Sequence, residues 1–552
     1  MSRRIHRPPT ESPTAIAYPD LLAFLEDPRS YPHVPGQVRL IHTHASIVAI
    51  ASPWVYKVKK PVNLGFLDFS TVERRKHYCE EEVRLNRRLC SRIYEDVVPI
   101  FLRNGALTFE EGDGEPVEYA VKMRELEDGY FLDQLLAEAE GPVLLDPLVE
   151  VLGRFYLAQG RRFDLSEWGR PERLRINTDE NFEQTKSHVG AILPRPAFAA
   201  IRLYTDRFYE TRAALLKRRC TEGRILDCHG DLRTEHVHVS PDGLCIYDCI
   251  EFNERFRYID VANDVAFLAM DLDFQGHPDL ARYVVEQMAA VLDDPALPIL
   301  ADFYMCYRAY VRGKVDCMRS TEPEVSPAEQ EASRDRARRY FQVALRYAVA
   351  GSEPVVLVVM GGVGAGKSTQ ARYLSGLLGL PVFSSDRIRK ELAGVPLYER
   401  GDAETRRRLY APEQTERTYA ALAQHAIDAA GRGRGCILDA TYSKAAGRAR
   451  LQQALSAASI PVRFIELTAS DAVIHARLEA RSRSDGEVSD ARLEDLSLLT
   501  ARYEAPAAEE GLDLVTVCAE GDLEETALEI LLRLITTRAL TDEPVLAPER
   551  AW

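Results

Sequence analysis

The chain has 552 residues, of which 46% are hydrophobic and 28% charged, and carries a formal net charge of −15 at pH 7. A chain this long does not close around one core, because domains run at roughly 150 residues, so two or more are expected, in two unequal halves. The composition is that of an ordinary globular protein, its apolar runs fall well short of the roughly 20 residues of a membrane-spanning helix, and the acidic balance argues against bulk nucleic-acid binding while leaving room for a local basic groove.

The opening stretch, MSRRIHRPPTESPT, is basic and proline-containing and lacks the apolar run of a secretory signal. Residues 1–34 therefore read as a flexible lead-in and the protein as cytoplasmic. Residues 38–60 alternate in polarity and end in ASPWVYKVKK, a hairpin with lysines at its end. The stretch 71–91, TVERRKHYCEEEVRLNRRLCS, has helical spacing, with Val83, Leu85 and Leu89 among charges. Strand signals follow at 97–102 and 117–123, and helices from about 131; strands and turns return at 225–250 (ILDCHGDL, LCIYDC) before helices run to about 350. Sheet first and helices afterwards predict an α+β unit with two lobes over residues 35–350. The last helix starts at Ser326, with Pro327 and Glu329 completing a capping box. The ten cysteines show no C-x-x-C pair and no His/Cys metal spacing, which points to reduced, mostly buried thiols.

Residues 351–354, GSEP, break the chain and form the linker to a second domain, 355–538, with 539–552 as a flexible tail. Strands at 355–359, 380–383, 435–439, 462–467 and 513–518 alternate with helical stretches, the pattern of an α/β domain with a parallel sheet. The first of them, VVLVV, runs into MGGVGAGKST. The spacing Gly361, four residues, Gly366, Lys367, Ser368 is that of a Walker A loop. Backbone N–H groups of Gly361, Gly362, Val363, Gly364, Ala365 and Gly366 and the start of the following helix cradle phosphates; Lys367 reaches the terminal phosphates, and Ser368, followed by Thr369, places a hydroxyl on Mg²⁺. This assigns ATP and Mg²⁺ to the second domain.

The first domain contains CHGDLRTEH, with Asp231 in the triplet His229-Gly230-Asp231 and His236 five residues later; an apolar strand ends in Asp248 seventeen residues after Asp231. Kinase chemistry needs one carboxylate to align the acceptor, and a second carboxylate and a ligand five residues after the first to hold metal. The segment resembles the aminoglycoside phosphotransferase and protein-kinase-like superfamily, with His236 standing where that family has asparagine. The resemblance implies Asp231 as the residue aligning the acceptor, Asp248 and His236 as metal ligands, and Asp260, twelve residues after Asp248, as structural. An imidazole coordinates divalent ions, although Mg²⁺ prefers oxygen. EEVRLN resembles the helix that carries the glutamate partner of the phosphate-binding lysine, which matches Glu81. Lys57 in VYKVKK fits that lysine, and Lys59 shares its face because strand side chains alternate. The turn IHTHAS, where the family covers the phosphates, has no glycine.

In the second domain, LPVF runs into SSDRIRKEL. This resembles the polynucleotide kinase, gluconate kinase and zeta-toxin group. By that resemblance Asp386 accepts the proton of the attacking hydroxyl, and Arg389 clamps substrate or phosphate. Asp439, at the end of GCILD, orients Mg²⁺ through water as a Walker B aspartate does, and Arg477, Arg481 and Arg483 resemble the arginines of a lid that closes on the transferring phosphate. The whole chain is similar to bacterial two-domain proteins joining the two kinds of region. Two functions follow: an ATP-dependent phosphotransferase acting on a hydroxyl of a small molecule or, less in keeping with the net charge, a nucleic-acid 5′ end; or an ATP-binding regulator with a pseudokinase-like front half and a P-loop switch. No membrane partner is expected, and the sequence leaves the acceptor and the oligomeric state open.

Overall fold

A computed structural model of the protein describes residues 17–111, 115–138, 141, 144–323, 325–398, 402–482 and 496–538. The expected tail, 539–552, and residues 1–16 of the lead-in lie outside them. The chain divides into two compact units, one made of residues 1–168 and 222–264, the other of 169–221 and 265–552.

The first unit is built on an antiparallel sheet of six strands: β1 (Arg39–His42), β2 (Ser46–Ala51), β3 (Trp54–Lys59), β4 (Tyr94–Arg103), β5 (Ala106–Thr108) and β6 (Pro116–Arg124), in the order β1-β2-β3-β6-β4-β5. The period of two along β3 decides what each face carries. Tyr56 and Val58 pack with Ile47, Ala49, Ile100 and Ala120 on one face, and Lys57 and Lys59 point to the other. Against the lysine face lies the helix Val72–Asn86, started by Thr71, whose Oγ1 accepts the Arg74 N–H at 3.3 Å. The glycine-free turn between β1 and β2 is closed instead by Thr43, whose Oγ1 accepts the Ser46 N–H at 2.9 Å.

Two short two-stranded sheets follow in the same unit. β7 (Ile225–Asp227) pairs with β10 (Tyr258–Asp260), and β8 (Val237–Ser240) with β9 (Gly243–Ile246). The residues between them hold the His-Gly-Asp segment and Asp248.

Two expectations are corrected here. The lead-in contains a packed helix: Tyr18–Glu26 buries Leu21, Phe24 and Leu25 with Tyr31 against the sheet, an apolar face that its N-terminal composition conceals. Cys90 and Cys245 are joined in a disulfide, with Cα atoms 4.7 Å apart, because β9 runs beside the turn that follows the helix Val72–Asn86; seven of the other eight cysteines are buried thiols.

The second unit begins with long helices, among them Arg195–Thr221, Pro278–Val291, Leu297–Arg319 and Pro327–Val349. The last starts as the capping signal predicts, with Ser326 Oγ accepting the Glu329 N–H at 3.3 Å. A parallel sheet follows: β11 (Val356–Gly361), β12 (Val382–Ser384), β13 (Cys436–Asp439), β14 (Val462–Thr468) and β15 (Leu514–Cys518), ordered β12-β13-β11-β14-β15. All six residues of β11 are buried, as a central parallel strand covered on both faces requires. Val356, Val358 and Met360 share one core with Leu438, Phe464 and Leu422. Among the described residues no helix is long and apolar enough to cross a membrane.

Arg219 and Asp294 are both almost fully enclosed, with Nη1 2.6 Å from each carboxylate oxygen. Breaking such a pair takes a close counter-charge away from a buried charge. Asp294→Ala is expected to destabilise the unit by about 3–5 kcal/mol, and Arg219→Met/Asp294→Leu to recover most of it. Chemical denaturation of the two variants checks this; equal losses in both would contradict it.

Candidate functional site

In the second unit the candidate residues collect at the carboxyl end of the parallel sheet. β11 exits through Gly361, where φ is 137° and a Cβ would stand 2.2 Å from the Leu467 carbonyl oxygen of β14. Only glycine fits there, so strand pairing and the start of the loop depend on the same position. The loop ends at Gly366, φ 92°, which precedes the helix Lys367–Leu378 and offers its first N–H groups no side-chain cap. Those donors, with the positive end of the helix dipole behind them, suit a bound phosphate. Lys367 Nζ donates to the Gly362 carbonyl at 2.8 Å, folded back over the loop.

Asp439 closes β13 beside Val359 of β11 and Ser384 of β12. It is 4% exposed and accepts hydrogen bonds from Ser368 and Ser384. Burial pushes its carboxyl above the ordinary carboxylate value, against those bonds and Lys367; burial likewise lowers the Lys367 ammonium, which Asp439 and Asp386 partly offset. Serine hydroxyl and carboxylate together are the oxygen donors a Mg²⁺ ion takes when phosphates supply the rest of its shell. Asp386 lies in the first turn of the helix Ser385–Ala393, and its Oδ1 accepts from the Tyr410 hydroxyl at 3.4 Å. Arg477 reaches the loop from the helix Asp471–Ser482: its Nη1 is 3.4 Å from the Gly364 carbonyl oxygen. Arg481 lies on the same helix, close enough to depress Lys367 further, and Arg483 falls outside the described residues.

In the first unit Lys57 and Lys59 meet one carboxylate. Lys57 Nζ is 2.9 Å from Glu82 Oε1 and 2.6 Å from Asp248 Oδ1; Lys59 Nζ is 2.7 Å from Glu82 Oε2 and bonds Glu251 as well. Burial works against charge on both lysines, yet the facing carboxylates raise both above the ordinary value. Burial also opposes ionisation of Asp248, but Lys57 and then His236 hold its carboxyl far below the usual range. Asp231 is gripped by Arg233 on both oxygens, Nε at 3.1 Å and Nη2 at 3.0 Å. His236 Nδ1 lies 2.9 Å from the Asp231 carbonyl oxygen and Nε2 3.7 Å from Asp248 Oδ2. Asp260 is structural, its Oδ1 accepting the Ala262 N–H at 2.9 Å. Among the described residues no group of three or more His, Cys, Asp or Glu is disposed to hold a metal by itself.

Residues 356–506 match the family described as "AAA domain". Over 464 residues the chain is 32% identical to "Uncharacterized protein Rv2004c" of Mycobacterium tuberculosis and to "Uncharacterized protein Mb2027c" of Mycobacterium bovis, spanning 83% of this chain and 89% of each relative. The chain belongs to the family of these mycobacterial proteins. Two solved structures align with about a third of it: a gluconokinase from Sinorhizobium meliloti 1021 (20% identical, TM-score 0.25, 33% of this chain and 92% of that one) and the Mycobacterium tuberculosis APS kinase CysC in complex with AMPPNP and APS (19% identical, TM-score 0.25, 33% and 98%).

Two of the sequence expectations for this family member are corrected by the geometry. Glu81 is not the partner of the lysines. It turns outward and pairs with Arg84, while Glu82 shares the inner face of the helix with Cys79, Val83 and Asn86. The 3.6-residue period already contained this, because Glu82 is three residues from Cys79 and four from Asn86. Arg389 is no substrate clamp as it stands: it is 5% exposed, donates to the Leu409 carbonyl and Thr415 Oγ1 at 3.0 Å each, and lies over the Tyr410 ring. Sequence reasoning also missed Glu251, Arg233, Ser384 and Tyr410. Arg233 and Ser384 sat within the quoted motifs, but nothing in their spacing says which group they meet.

His229 is fully enclosed, and burial lowers its imidazole to about 4. Its Nε2 faces the Tyr247 carbonyl at 2.9 Å and so donates, which leaves Nδ1 to accept the Asp231 N–H at 3.3 Å. A second proton would have to sit on Nδ1 against that donor. The unfolded chain takes the proton near pH 6.5 and the folded chain only near 4, so stability falls as pH drops through this window, by on the order of 3 kcal/mol. Unfolding of wild type and His229→Gln followed from pH 7 to 4 should show a shallower slope in the variant; parallel slopes would contradict it.

Proposed function

We propose that this chain is an ATP-dependent phosphotransferase whose second unit moves a phosphoryl group to a hydroxyl acceptor. What carries the reading is the convergence of Lys367, Ser368, Asp439 and Asp386 beside a glycine-rich loop at the carboxyl end of a parallel sheet. Bound Mg²⁺-ATP supplies the transferable phosphoryl group and the metal charge that offsets its oxygens. Backbone N–H groups from Gly362 to Ser368 bind the phosphates, and Lys367 leaves the Gly362 carbonyl to neutralise them. Ser368 and Asp439 orient the metal side of the site. Asp386 receives the acceptor's proton as the oxygen bonds to phosphorus and the bond to the leaving diphosphate breaks. Arg477, with Arg481 on the same helix, adds positive charge where negative charge builds.

The first unit is proposed to be a second nucleotide site of protein-kinase-like, aminoglycoside phosphotransferase-like design, with Lys57 for the phosphates and Asp248 with His236 on the metal side. One observation favours a regulatory role for it: Arg233 engages both oxygens of Asp231, so an acceptor hydroxyl has to displace a guanidinium before it meets the carboxylate. The proposed compartment is the cytoplasm.

The test is incubation with ATP and Mg²⁺ over panels of aminoglycosides, sugars, nucleosides and 5′-hydroxyl oligonucleotides, following the γ-phosphate. Transfer to one class is expected, reduced by about 10²-fold or more in Asp386→Asn and in Lys367→Ala, and affected less by Asp231→Asn. Nucleotide binding with no transfer across the panels would overturn the enzyme reading in favour of the regulator.

A further inference from the structure

Lys59 is a buried ammonium that the proposed chemistry leaves unused. Its side chain is 1% exposed and is enclosed by Glu82, Glu251 and the ring of Phe69, whose centroid is 4.9 Å away. It cannot touch a nucleotide from there, so whatever it does, it does through its neighbours. The Glu251 side chain is also largely enclosed, at 8% exposure, and lies three residues beyond Asp248 on the same loop.

The arrangement is a chain of four charges closed by a fifth. Asp248 pairs with Lys57, Lys57 forms an ion pair with one oxygen of Glu82, the other oxygen of Glu82 accepts from Lys59, and Lys59 pairs with Glu251, which returns to the loop of Asp248. Lys57 and Lys59 stand two residues apart on β3, opposite Val48 and Ser46 of β2, so their spacing is fixed by the sheet. Asp248 sits in the left-handed region at φ 62°, which an aspartate keeps only where its surroundings hold it. The Asn86 carboxamide holds one point of the loop by accepting the Cys249 N–H at 2.8 Å; Glu251 on Lys59 holds another.

We propose that Lys59 and Glu251 are positioning residues of the first unit's nucleotide site. They form a second lysine–glutamate pair that fixes Glu82 and the Asp248 loop in the geometry that binds ATP. The pair keeps the site assembled before nucleotide arrives: a helix or loop that swung away would take one of the two counter-charges from the Lys59 ammonium, which a buried site tolerates poorly. Lys57, 15% exposed, is then the one ammonium of the two that is left to meet phosphate. The inference rests on the reading that this unit binds ATP.

The experiment uses the full-length chain carrying Lys367→Ala, so that binding of a fluorescent ATP analogue with Mg²⁺ reports the first unit. Lys59→Met and Glu251→Gln should each weaken Kd by about tenfold or more, the scale seen for outer partners of a liganding group. Lys59→Arg should recover most of the loss. Because a single change strands a buried charge, Lys59→Met/Glu251→Leu is measured alongside: it removes both charges, is expected to keep the parent's melting temperature, and should still bind weakly. A folded double variant with the parent's Kd would overturn the inference. A parent that binds no analogue at all would overturn the ATP reading of this unit and the inference with it, a result distinct from binding that ignores Lys59.

Discussion

Glu82 places a single negative charge between two ammonium groups where almost no water reaches. A lysine taken out of water loses its charge or acquires a carboxylate, and here two do so on neighbouring positions of one face of β3. That demand fixes much of the first unit. The helix Val72–Asn86 has to present residue 82 inward, which sets its rotation; β3 has to keep both lysines on the helix side, which sets which residues fill the opposite core; and the loop after β9 has to return with Asp248 and Glu251. A slip of one residue in β3 would carry both charges into the apolar cluster around Tyr56 and Val58.

The second unit organises its charged groups around backbone in place of side chains. Its constraint is the contact of Gly361 with the Leu467 carbonyl, which lets β11 and β14 stay paired up to the point where the loop leaves the sheet. The loop then turns through Gly366 into an uncapped helix. Burial lowers the Lys367 ammonium and raises the Asp439 carboxyl, so each of the two charges is costly as the site stands, and a bound anion with its metal would relieve both.

This difference in construction explains what could be read from the sequence. A backbone cradle needs glycines at fixed intervals and a buried strand in front, so the loop, the five parallel strands and Asp439 were legible within two or three residues at their ends. A side-chain cradle needs only the right charge on the right face, and EEE at 80–82 offers three candidates in a row. Glu82 is selected by helix phase, which the charges themselves do not advertise. Arg389 was misjudged for a related reason: spacing put it on the same helix as Asp386, but its guanidinium finds Leu409, Thr415 and Tyr410, partners more than 18 positions away that no local pattern reveals. The Cys90–Cys245 bridge spans 155 residues and is invisible to motif spacing in the same way.

The two candidate proton acceptors are held differently, and this bears on how the units divide the work. Asp231 meets a guanidinium in the fork geometry that binds carboxylates most firmly, and its backbone N–H is tied to a histidine that burial keeps neutral. Asp386 has a tyrosine hydroxyl at 3.4 Å, a long and weak bond, on the first turn of a helix beside the lysine of the phosphate loop. A group that must accept a proton in one step and release it in the next is better served by partners that yield. On the proposed reading the second unit is therefore where an acceptor hydroxyl meets a carboxylate it can use, and the first unit, with its charges already satisfied by one another, is suited to holding a nucleotide in place.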